Sequence, residues 1–178
     1  MTISDTYLST LKSLADVLKP WQSLFSNSKV ISDAVTFAHL AGVLFAGGFA
    51  IAADRATFRA LRGSAEDRTT LLREVRAVHR PVLIGLTVIL VSGILLATSD
   101  VETFGKSLVF LVKMTLVALL LINGLMLERT ESALREHSTA ATMQGDSVAL
   151  WSKLRHTATA SVVLWTSIVL AGTILVNS

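Results

Sequence analysis

Four apolar runs alternate with polar segments along the chain, at about residues 33 to 53, 81 to 98, 107 to 127 and 157 to 176. Each matches or approaches the roughly 20 helical residues that cross a hydrocarbon core of about 30 Å, so the pattern predicts four membrane-spanning helices. Short polar connections make successive spans neighbours that run in opposite directions. The predicted fold is all-α: an integral membrane antiparallel four-helix bundle over residues 31 to 178. Residues 1 to 30 carry a different pattern, with Tyr7, Leu8, Leu11, Leu14, Ala15 and Leu18 recurring at helical spacing among Ser, Asp and Lys. That spacing predicts an N-terminal amphipathic interfacial helix, stopped by Pro20 and anchored by Trp21. It is not expected to be a signal peptide, because no basic stretch precedes a continuous apolar core.

The segment after the first span, ADRATFRALRGSAEDRTTLLREVRAVHR, reads as helical extensions of two spans broken near Gly63-Ser64. ERTESALREHSTAATMQGDSVALWSKLRH is similar, with its turn expected at Gly145-Asp146. Spans one and two do not repeat in spans three and four, so the spans form one domain.

Composition agrees with the pattern: 52% of the 178 residues are hydrophobic and 16% charged. A mean hydropathy of +0.61 is too apolar for a soluble domain of this length, and the lipid bilayer is the first expected partner. Charge then orients the spans. Arg55, Arg59, Arg62, Arg68, Arg73, Arg76 and Arg80 fill one connection, and Arg129, Arg135, Lys153 and Arg155 fill the other on the same side. The opposite side holds Lys12, Lys19, Lys29 and Lys106. Because cytoplasmic loops carry the excess of basic residues, both termini are expected in the periplasm of a bacterial inner (plasma) membrane. The net charge of +3 expresses this asymmetry, and no nucleic-acid partner is expected. The absence of cysteine excludes disulfides, thiolate metal sites and haem attached through Cys-x-x-Cys-His.

Ionisable groups inside the spans need a reason, since a lysine near mid-bilayer costs at least about 2.5 kcal/mol. His39 and Lys113 each lie six residues inside the same end of spans one and three. At about 1.5 Å per residue both sit about 9 Å deep, in one layer. The other two helices reach that layer near Ser92-Gly93 and Ala171-Gly172, where small residues leave room for a ligand in the core. Small residues equally mean close packing, and Ala38, Gly42, Ala46 and Ala50 form such a stripe. Lys113 also has the reach to snorkel outward. His79 and His156 match one another in depth near the cytoplasmic boundary. They form a second candidate ligand set for haem b, or else are wet interfacial residues, as His137 is in its polar loop. Arg55 and Arg129 either grip carboxylates such as porphyrin propionates or act as anchors beside Asp54 and Glu128.

His39 followed sixteen residues later by Arg55, Pro81 opening span two, and Lys113 followed sixteen residues later by Arg129 resemble the small haem-associated membrane protoporphyrinogen oxidases of bacteria. PVLIGLTVILVSGILLA and LVFLVKMTLVALLLINGLMLER are similar to the membrane domain of copper-resistance protein D. The oxidase resemblance implies that His39 is a haem ligand or part of a porphyrin site, that Lys113 shares this core, and that Arg55 and Arg129 are charge partners near the inner face. Departures occur at Ala46, where the oxidases carry an aromatic, and at RHTATASVVLW, where they carry an Asn-Glu-x-x-Pro-like start.

The function expected is haem or porphyrin binding in redox chemistry, as electron transfer to or from quinone or as porphyrin oxidation by an oxidoreductase. The alternative is a non-catalytic membrane subunit or scaffold within a homo-oligomer or larger membrane complex. The lack of native cysteine makes the topology directly readable. Ser26→Cys is expected to react with an impermeant maleimide on intact cells, and Ser64→Cys only after permeabilisation; the reverse pattern inverts the assignment.

Overall fold

The computed structural model describes residues 3–139 and 144–177, which form six helices. These are α1 (Ile3–Asn27), α2 (Lys29–Arg62), α3 (Ala65–Ser99), α4 (Val101–Lys106), α5 (Leu108–Thr139) and α6 (Gln144–Val176). Segments Lys29–Arg62, Arg80–Ser99, Leu108–Glu136 and Val148–Leu175 are each long and apolar enough to cross a membrane. The chain is a multi-pass membrane protein. Its large apolar side chains accordingly point outward as well as inward, with Phe37 and Leu44 about three-quarters exposed, because lipid tails are as apolar as leucine.

The chain reverses between α2 and α3 where Gly63-Ser64 interrupts the helical pattern. Asp67 N–H donates to Ser64 Oγ at 3.3 Å while Ser64 N–H donates to Asp67 Oδ2 at 2.7 Å, a reciprocal pair that satisfies two orphan donors of the new helix. The Ser64 backbone N–H and then its hydroxyl hold the Asp67 carboxyl below the usual carboxylate range. Elsewhere the breaks differ from expectation. Gly145 and Asp146 belong to the first turn of α6 instead of a turn between helices. Pro20 does not end α1, which continues to Asn27. Past the proline, Trp21 Nε1 donates to the Leu95 carbonyl at 3.1 Å and Gln22 Nε2 to the Thr98 carbonyl at 3.3 Å, so α3 holds the continuation in place. Further along, Tyr7 Oη donates to the Gly105 carbonyl of α4 at 2.7 Å, and Leu11 covers Gly105.

Helices α2 and α3 meet through small residues. A methyl group on Gly85 would lie 2.8 Å from Ala46 Cβ, and one on Gly42 would lie 2.9 Å from Ile89 Cγ1. Residue numbers fall along α3 as they rise along α2. The close-packing reading of the Ala38-to-Ala50 stripe therefore holds at Gly42 and Ala46. On the adjoining face α2 packs against α6, with Gly47 beneath the Trp165 ring, and α6 packs against α5. Across the molecule the order is α3, α2, α6, α5, and α3 and α5 share no comparable interface. Two buried clusters tie the helices: Ala46, Leu120, Trp165 and Ile168 at mid-length, and Ala60, Leu71, Leu72, Leu134 and Leu154 toward the Gly63 end.

Gly85→Val forces α2 and α3 apart and is expected to lower stability by about 1–3 kcal/mol in mixed-micelle unfolding. Gly48→Ala has open space around the added methyl, and removing a helical glycine there is expected to be neutral or stabilising by about 0.5–1 kcal/mol.

Candidate functional site

The layer shared by His39 and Lys113 has a definite construction. His39 projects from α2 toward α3, where its Nδ1 lies 3.1 Å from Ser92 Oγ. The Ser92 hydroxyl donates to the Val88 carbonyl one turn earlier, so its oxygen can accept from a protonated Nδ1, and the Ile89 carbonyl is a further acceptor for the same ring. In the tautomer protonated at Nδ1, Nε2 carries the lone pair. A methyl on Gly93 would sit 3.2 Å from His39 Cε1, and one on Gly172 would sit 3.4 Å from Lys113 Nζ. The glycines give the two long side chains their room. Both are half-buried, and they lie close enough to interact electrostatically.

The other residues singled out from the sequence are not gathered around this layer. His156 is exposed, with Nδ1 2.7 Å from the Ser152 carbonyl of its own helix. The side chains of His79 and His137 lie outside the described residues. Arg55 and Arg129 are exposed on the helix faces that α2 and α5 turn away from their neighbours. Among the described residues, no group of three His, Asp or Glu side chains is placed to hold a metal ion. No protein-family model, curated protein or solved structure matches the chain.

A second polar region lies at the level where the sequence places Asp54, Asn123 and Glu128 at the inner ends of their spans, and its core is a cavity. Between the two buried clusters, a cavity of about 390 Å³ opens among α2, α3, α5 and α6, on the side where α3 and α5 fail to meet. Aliphatic side chains make most of its wall. Asp54 on α2, Asn123 and Glu131 on α5, and Ser161 on α6 bring polar atoms to it. Asp54 is only 2% exposed, and its Oδ2 has no hydrogen-bond partner. The Ser161 hydroxyl approaches the carboxyl from α6. Glu131 is also buried, and Arg135, Glu128 and Asp54 act on it electrostatically. Asn123 is oriented by donating from Nδ2 to the Thr157 carbonyl at 3.0 Å. The site is apolar in its walls and rich in acceptors.

Sequence reasoning placed Asp54 among anchors at the end of a span, but its signal was present. Asp54 is the next position after Ala38, Gly42, Ala46 and Ala50 in the four-residue stripe that faces the interior. Arg55 is one residue off that stripe. Glu131 likewise continues the inward face of Lys113, Leu120 and Leu127 at helical spacing.

A buried carboxylate oxygen without a partner is expected to be held at a cost to stability. Asp54→Leu, which removes the orphaned acceptor and fills the same face, should raise the unfolding temperature in detergent. A lowered temperature would mean that the carboxylate is needed to hold the helices together.

Proposed function

We propose that the four long helices span a bacterial inner membrane as an antiparallel bundle, with α1 lying on the outer leaflet. In this reading the His39–Lys113 layer binds haem b or a related porphyrin and serves redox chemistry, as electron transfer with quinone or as porphyrin oxidation. The observation that supports it is the anchored imidazole: Nδ1 lies against the Ser92 hydroxyl, and a proton held there leaves the Nε2 lone pair for a metal. Histidines that bind metals are oriented in this way, by a second partner on the other ring nitrogen. His39 would hold the iron of such a group, and the Lys113 ammonium would pair with one of its carboxylates. The group itself would supply the electron-transfer chemistry. The protein's part is to fix the imidazole, to offer a cation beside it and, through Gly93 and Gly172, to keep bulk away from both.

A second reading, a non-catalytic membrane subunit, is favoured by Gly48. It is exposed on α2 with open space where a methyl would be, a small-residue surface on which a partner helix or a second copy would pack.

Expression with ample haem and a visible spectrum of the purified protein separate the two. A Soret band that is lost in His39→Ala, shifted in Ser92→Ala and retained in His156→Ala supports the haem site at His39. Colourless protein that co-purifies with a larger complex, and keeps doing so as His39→Ala, supports the subunit reading.

A further inference from the structure

The cavity beside Asp54 stands apart from the His39 layer. Along α2, His39 and Ala50 are about 16 Å apart at 1.5 Å per residue, and the cluster of Ala46, Leu120, Trp165 and Ile168 fills the space between the two levels. One occupant does not reach both. The volume of about 390 Å³ falls within the usual range of small-molecule sites, about 300–1,000 Å³. Three features of its lining specify the ligand. The first is charge: Asp54 and Glu131 from facing helices, with Glu128 at the margin, and Arg135 acting on Glu131 with the opposite sign. The second is an unmet bond, because Asp54 Oδ2 is buried and unpartnered against the cavity. The third is Trp165, whose indole lines the same space and offers a π face that attracts cations. Leu83, Leu121 and Leu125 line the cavity while remaining about half exposed, so its mouth faces the surface that meets lipid.

We propose that this cavity is a binding site for an amphiphilic organic cation, an amine or quaternary ammonium on an apolar or aromatic body, entering from the lipid side between α3 and α5. The apolar body fills the aliphatic walls. The cationic pole rests between the Asp54 and Glu131 carboxylates and the Trp165 ring, supplying a positive charge that Asp54 lacks among the described residues. An anionic or purely apolar ligand would leave that carboxylate unmet.

The test uses full-length protein in maltoside micelles, with ethidium as the cationic probe and Nile red as a neutral one. Ethidium should bind wild type saturably, and Asp54→Asn and Glu131→Gln should each weaken it by about tenfold or more while Nile red binding stays unchanged. Retained Nile red binding shows that the cavity has folded in the variants. Undetectable ethidium binding to wild type, or equal binding to wild type and both variants, would overturn the proposal. So would displacement of ethidium by short-chain phosphatidylethanolamine but not by phosphatidylglycerol, which would assign the site to a lipid headgroup. Because the two levels are separate, the Soret band at His39 should be untouched in Asp54→Asn, so failure of one assignment leaves the other standing.

Discussion

The approach of α2 to α3 at Ala46 and Gly85 sets the rest of the arrangement. Lipid gives no hydrophobic drive for helices to associate, so contact depends on backbones coming close, and only small residues permit that. With one side of α2 committed to α3 through Gly42, Ala46 and Gly85, the adjoining side at Gly47 is left for Trp165 of α6. Helix α5 then docks on α6 rather than on α3. A row of four helices results, with the mid-length cluster lying between its two internal polar regions.

The two polar regions solve the burial problem differently. At the His39 layer the imidazole rests against a serine hydroxyl on α3, and the two long polar side chains occupy the space above two glycines. At the Asp54 level the helices supply acceptors in excess of donors. Asn123 is turned toward the Thr157 carbonyl, and one oxygen of Asp54 receives nothing from the protein. A buried polar group left without a partner typically costs about 1–3 kcal/mol, so its retention in a membrane interior points to a role outside packing.

The four spans, the helix break at Gly63-Ser64 and the depth match of His39, Lys113, Gly93 and Gly172 were legible in the sequence because they depend on run length and on rise per residue. Position around the helix was less so. Asp54 and Arg55 are neighbours in sequence at the same depth, yet one is buried and the other exposed, a difference set by about 100° of rotation rather than by hydropathy. The stripe ending in Asp54 carried that information only once Ala46 was known to face the interior. Pro20 misled for a related reason. A local rule predicted a stop, whereas bonds from Trp21 and Gln22 to α3, far away in sequence, decide that α1 continues.

The chain's three tryptophans stand at three levels of the molecule. Trp21 lies at the α1 end with its indole bonded to Leu95, Trp165 lies at mid-length between cluster and cavity, and Trp151 lies at the Gly63 end with the Arg68 guanidinium 5.2 Å from its ring centre. Intrinsic emission is therefore a built-in depth gauge. A quencher confined to one face of a bilayer, or carried at a chosen position on a lipid chain, addresses one of these indoles at a time.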